Sequence, residues 1–208
     1  GVGWVKHDDP GTGAGHGRWH DGVQGPRVTA NRPSRDQARD PQPQLALVLA
    51  GEVPNANAAL IERFYAAFAA RDGAAMAACY GPDVTFDDPV FPALRDREAG
   101  EMWKYLTRRA ADMTVDLLEH EADGERGSAH WVAHYTFSQT GRHVVNDVHA
   151  EFRFRDWLIA VHRDDFDFHR WASQALGPVG LLLGWTPMLR TSVRRQARAG
   201  LDKFLASG

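Results

Sequence analysis

Asp88 stands immediately before Pro89, and Asp164 lies two residues beyond His162 in the segment His162-Arg-Asp-Asp-Phe-Asp-Phe-His169. Two carboxylates and an imidazole are groups that move protons without a cofactor. A carboxylate drawn into apolar surroundings resists ionisation, so its pKa climbs toward neutrality. It can then remove a proton from carbon beside a carbonyl and return it elsewhere. Tyr135 and Asn146 would donate hydrogen bonds to the oxyanion formed in such a step. Each residue also has a plainer account. Asp88 reads equally as a strand-ending turn residue. Asp164, with Asp165 and Asp167 close to Arg163 and Arg170, reads equally as a solvated acidic strand end. His162 alone in a pocket wall is more often a hydrogen-bonded structural histidine, and Tyr135 and Trp131 fit as core aromatics.

The elements that must position these groups are visible from residue 55 onward. Asn57 reads as an N-cap, followed by Leu60, Ile61, Phe64 and Phe68 at helical spacing up to the Arg71-Asp-Gly73 break. A short helix over Ala74 to Tyr80 ends at Gly81-Pro82, and Asp83 to Pro89 reads as a strand stopped by proline. Arg97 to Ala111 reads as a third helix, carrying Met102, Trp103 and Leu106. Four strand-like segments follow at 113–121, 128–139, 142–155 and 158–166, separated by the turn signals Asp123-Gly124, Thr140-Gly141 and Arg155-Asp156. Helices followed by an antiparallel meander make an α+β fold.

Alternation assigns the faces. Trp131, Ala133, Tyr135 and Phe137 share one side, opposed by His130, His134 and Thr136. Val144, Asn146, Val148, Ala150, Phe152 and Phe154 oppose His143, Asp147, His149, Glu151 and Arg153. Leu158, Ala160, His162, Asp164 and Phe166 form the third inward set, although both faces of that segment mix apolar and charged residues. Tyr135, Asn146, His162 and Asp164 thereby converge on an apolar surface, the composition of a small-molecule pocket. Trp103, Trp131, Phe152 and Phe166 complete its expected lining. The outward histidines His130, His134, His143 and His149, near Asp147 and Glu151, resemble a metal site in composition. No helical histidine spacing supports one, and a polar face that pairs with a second copy is the preferred account; no metal and no cofactor are predicted.

Composition narrows the function classes. A formal net charge of −3 makes no electrostatic case for nucleic acid, and no apolar run approaches the roughly 20 residues of a membrane span. One cysteine, Cys79, can form no internal disulfide, which points to a reducing cytoplasm. Residues 1–53 are Gly- and Pro-rich without periodicity and are predicted to be an unstructured extension. The run Leu45 to Ala50 is too short for a signal peptide core and is followed by Glu52 and Pro54. Because the first methionine is Met76, inside the expected domain, a natural start near Val48 or Val53 is expected, to be tested by intact mass. Residues 54–175 form the expected domain. Residues 176–208 add a Gly-interrupted apolar run and an amphipathic helix, with Thr186 as N-cap, Pro187 at its first position and a Leu189, Val193, Ala197, Leu201 stripe. Packing on the domain or across a dimer is the first account of that helix. Leu181 to Trp185 as a lid and a membrane-surface element are the other two.

Helix, helix, Tyr80-Gly-Pro-Asp-Val-Thr-Phe-Asp-Asp-Pro89, helix and four strands resemble the NTF2-like superfamily of cone-shaped α+β folds, over about residues 55–175. That superfamily includes ketosteroid isomerases, SnoaL-like polyketide cyclases and limonene-epoxide hydrolases. The segment from His162 to Gly177 is similar to bacterial SnoaL-like proteins. The resemblance puts Asp88 on the general base of ketosteroid isomerases and Asp164 on the last-strand aspartate of the cyclases. It puts Phe64 at the isomerase's oxyanion tyrosine, with Tyr65 one position off, and Ala150 near its protonated aspartic acid. Both oxyanion donors are thus missing, which speaks against steroid isomerisation. The Asp-Arg-Asp set of the epoxide hydrolases lacks its arginine on the inward strand faces. Two readings follow: a cofactor-independent acid–base isomerase, cyclase or hydrolase acting on a small apolar compound, or a non-catalytic ligand-binding or dimerising module with the same pocket.

Overall fold

The structure, a computed structural model, describes residues 55–109 and 111–207. The expected unstructured extension and the Leu45 to Ala50 run lie outside the described residues. In chain order the elements are α1 (Ala56–Ala69), α2 (Gly73–Ala77), β1 (Tyr80–Asp87), β2 (Leu94–Arg95), α3 (Arg97–Arg109), β3 (Thr114–Ala122), β4 (Arg126–Phe137), β5 (Arg142–Arg155), β6 (Leu158–Asp165), α4 (Phe168–Leu176), α5 (Pro178–Leu183) and α6 (Pro187–Leu205). The architecture is α+β, with helices packed on one face of a curved six-stranded sheet of order β2-β1-β6-β5-β4-β3.

Asn55, not Asn57, caps α1, its side chain accepting the Asn57 N–H at 3.0 Å. The Asn57 amide is drawn elsewhere. It donates to the carbonyls of Asp123 and Gly124 at 2.9 and 3.2 Å, pinning the start of α1 to the β3–β4 turn. The helix expected over Ala74 to Tyr80 stops at Ala77, because Tyr80 already belongs to β1. Leu60, Ile61, Phe64, Tyr65 and Phe68 of α1 are all buried, as are Met102 and Trp103 of α3.

The meander β3 to β6 is antiparallel throughout, whereas β1 lies parallel to β6. That pairing brings the end of β1, and with it Asp88, beside the end of β6. The mixed pattern of 158–166 has a local cause. Phe154 pairs with Ile159 and Arg153 with Val161, so β6 holds one extra residue at a bulge and Ile159 turns inward with Phe154. Beyond the bulge the simple alternation resumes, and His162 and Asp164 face the helices.

The C-terminal elements fold back on the sheet and on α3. Gly180 of α5 packs so closely on α4 that a β-carbon there would overlap the Ala172 carbonyl. Thr186 caps α6, accepting the Leu189 N–H at 3.3 Å. The helix is held to α3 by a two-bonded pair of Arg198 and Glu98 at 3.0 and 2.5 Å and by the fully buried Leu201. Leu181, Leu182, Trp185 and Met188 remain exposed, Trp185 at 73%. No helix among the described residues is long and apolar enough to cross a membrane.

Candidate functional site

Helices α1, α3, α4 and α6 and the inner face of β4, β5 and β6 enclose a cavity of about 220 Å³. Most of its lining is apolar or aromatic, including Phe68, Phe91, Trp103, Trp131, Phe166 and Trp171. Its polar members include Asp88, Tyr135, Asn146 and Asp164. Asp88 and Asp164, far apart in sequence, therefore meet in one chamber.

Asp88 follows the last residue of β1. Its Oδ1 accepts the backbone N–H of Val90 at 2.6 Å and that of Phe91, while its own N–H donates to the Phe91 carbonyl at 3.2 Å. The turn explanation for this residue is thus real, but it occupies one oxygen. Oδ2 has no protein partner among the described residues. Burial raises the Asp88 pKa from 3.8 to about 7; the N–H of Phe91 and Val90 restrain the rise, and the negative charge of Asp164 adds to it. At neutral pH the group is close to half-protonated, the condition that suits an acid–base catalyst.

Asp164 is 4% exposed and anchors the end of a buried chain of hydrogen bonds. Period two along β6 puts it on the same face as His162, whose Nε2 lies 3.0 Å from Asp164 Oδ1. His162 Nδ1 lies 2.7 Å from the Tyr80 hydroxyl, which accepts the Trp103 Nε1–H at 2.6 Å. Indole nitrogen only donates, so the Tyr80 proton is free to go to His162 Nδ1, and the remaining ring proton on Nε2 goes to Asp164. The network itself assigns this tautomer. Burial pushes the Tyr80 hydroxyl well above its usual pKa, so the proton that the chain requires is retained.

His162 is absent from the cavity wall. Its side chain sits behind Asp164, ringed by Phe64, Phe86, Trp103 and Phe152 at centroid distances of 5.4, 5.1, 6.0 and 4.4 Å. Its two ring nitrogens are taken up by Tyr80 and Asp164. Phe152 is likewise turned onto His162 and is not part of the lining. Trp103, Trp131, Tyr135, Asn146 and Phe166 all line the cavity.

Tyr135 accepts the Trp171 Nε1–H at 2.9 Å, which leaves its own hydroxyl proton for the cavity; burial raises its pKa to about 12. The Asn146 side chain makes no protein hydrogen bond among the described residues. Two further buried donors, the Tyr65 hydroxyl and Trp131 Nε1, have no partner among the described residues. The arginine in the lining, Arg109, bonds the Ser138 hydroxyl at 3.2 Å and lies over the Tyr105 ring.

Tyr80 and Trp171 escape sequence reading because their roles are to orient other polar groups across distant elements. Their only sequence signal is the polar tip on a core aromatic. The C-terminal wall is the other addition. Val193, Gln196 and Ala197 of α6 close one side of the cavity, whereas the Leu181 to Trp185 stretch weighed as a lid does not contribute to it.

Residues 61–162 match the SnoaL-like domain family. Solved structures of similar fold include an NTF2-like protein of unknown function from Burkholderia pseudomallei, at 19% identity and TM-score 0.51, over 58% of this chain and 98% of that one. An LEH-like epoxide hydrolase of M. tuberculosis superposes at 21% identity and TM-score 0.51, over 62% and 93%. A candidate polyketide cyclase from Xanthomonas campestris does so at 23% identity and TM-score 0.51, over 58% and 96%. No curated protein matches. At these identities the likeness is one of fold: the described domain has the fold of NTF2-like proteins, and its residues 61–162 match the SnoaL-like domain family.

Proposed function

We propose that this protein binds a small apolar carbonyl compound and carries out cofactor-independent acid–base chemistry on it, as an isomerase or cyclase. The observation that carries this reading is the pair of carboxylates in one largely apolar cavity, with Asp88 raised to about 7. Asp88 as a base takes a proton from carbon beside the carbonyl. The electron pair moves onto the carbonyl oxygen, which accepts hydrogen bonds from the Tyr135 hydroxyl and the Asn146 amide. Asp88 then returns the proton to another carbon, so the step needs no oxidant or co-reactant. The negative charge of Asp164, which is hydrogen-bonded to His162, opposes ionisation of Asp88. The names of the fold neighbours, a cyclase and an epoxide hydrolase, are compatible with chemistry of this class.

A ligand-binding module without turnover is the second reading. Phe64 and Ala150, at the positions where the resemblance expects oxyanion donors, favour it. A thermal-shift screen of apolar ketones, epoxides and polyketide mimics, followed by mass spectrometry of the hits, separates the two. Conversion that is lost in both Asp88→Asn and Asp164→Asn is the expected result. Binding without conversion by the unaltered protein supports the second reading, and full activity in both variants overturns the first.

A further inference from the structure

The outer face of the sheet, opposite the cavity, carries a group of ligand atoms that the proposed acid–base chemistry does not use. His130 of β4 and His149 of β5 are directly paired across the ladder, and their rings stack at 4.3 Å and 18°. Asp147, two residues before His149, shares its face, and its Oδ1 lies 2.7 Å from His130 Nε2. One ligand atom from each of the three lies within 4.8 Å of those of the other two. A His130–Asp147 hydrogen bond accounts for two members only. The His149 ring has no protein hydrogen bond among the described residues, yet it is stacked on a second imidazole.

We propose that His130, Asp147 and His149 bind a divalent transition-metal cation of the zinc class. Two imidazoles and one carboxylate suit zinc, cobalt or nickel, while magnesium and calcium prefer all-oxygen shells. Bonds of about 2.0–2.2 Å in tetrahedral geometry separate neighbouring ligand atoms by roughly 3.3 Å. The His130–Asp147 contact therefore opens by a fraction of an ångström and the third ligand closes by at most about an ångström and a half. Rotation of surface side chains supplies both, because the β-ladder already fixes the backbone. The electrostatics agree. Asp165 is paired with His149 on its other side, and a polar pocket of about 230 Å³ beside the group is lined by Asp147, His149, Asp165 and Asp167, with Arg170 the one opposing cation among its lining. Three protein ligands leave a coordination position for water or for a donor from another molecule.

The test is zinc titration of the full chain by calorimetry and by competition with a chromogenic chelator, with a ¹H–¹⁵N spectrum of the histidine rings. The chain also holds His7, His16 and His20, so the variants decide, not the total bound. The His130→Ala/His149→Ala double variant is expected to lose one equivalent, with at least a tenfold fall in affinity at that step. The His130 and His149 ring signals shift on zinc addition in the unaltered protein, and magnesium leaves them unmoved. His134→Ala/His143→Ala, which removes the other stacked pair, at 6.2 Å, leaves that equivalent in place. All four rings are on the surface side of the sheet, so unchanged circular dichroism is expected. Stoichiometry and affinity unaffected by the first double variant, or zinc-insensitive His130 and His149 signals, would overturn the proposal.

Discussion

Replacing Asp88 by Asn should change the pH dependence of stability, because Asn cannot ionise. The folded-state pKa of Asp88, about 7, lies above its unfolded value near 3.8. Below the lower value both states hold the proton and burial exacts no charge penalty. Between the two, the folded protein holds a proton that the unfolded chain has released, so stability falls as pH rises. Above about 7 the loss is complete. At about 1.4 kcal/mol per pH unit the full interval corresponds to roughly 4 kcal/mol. Asp88 is only half-buried, so its charge is partly screened, which brings the expected loss to about 2–4 kcal/mol. Asn keeps an Oδ1 for the Val90 and Phe91 N–H groups, so the turn survives and the other titrating groups cancel in the comparison. Thermal unfolding of both proteins from pH 4 to 8 should show Asp88→Asn gaining about 5–15 °C relative to the parent across that range. Parallel curves would refute the claim that this carboxyl is held in a desolvated chamber, and the acid–base role would lose its basis.

Tyr80→Phe should cost about 2–4 kcal/mol in urea unfolding, since it strands both the Trp103 Nε1–H and His162 Nδ1 in the core. A double-variant cycle with Trp103→Phe should show coupling above about 0.5 kcal/mol, and strict additivity would mean that the buried chain does not act as a unit. Gly180→Ala should destabilise despite a helix-propensity gain of about 1 kcal/mol, because the new methyl group meets the Ala172 carbonyl. Limited proteolysis should then cut within 177–186 first, and a variant of raised Tm would show that α4 and α5 are less closely packed.

Much of the scaffold was legible because it rests on periodicity. The alternation in β4 and β5 separates Trp131, Ala133 and Val148 from His130, Asp147 and His149, and the structure keeps that separation residue by residue. The β6 pattern was blurred by the extra residue of its bulge, which no local signal announces. The choice between Asn55 and Asn57 as cap was equally hidden: either side chain can accept a helix N–H, and only the distant carbonyls of Asp123 and Gly124 decide it.

What the sequence determined by itself is the α+β frame, the inward set of polar residues and the Asp-Pro turn, all consequences of spacing and backbone restriction within a few residues. Tertiary structure decided where those residues lie relative to one another. Parallel pairing of β1 with β6 brings Asp88 to the chamber of Asp164, and burial there raises its pKa. The hydrogen-bond chain through Tyr80 and Trp103 withdraws His162 behind Asp164, and α6 rather than Leu181 to Trp185 closes the wall. Desolvation and hydrogen bonding depend on neighbours that are remote in sequence, so a carboxylate's charge and reach exist only once the chain has folded around it.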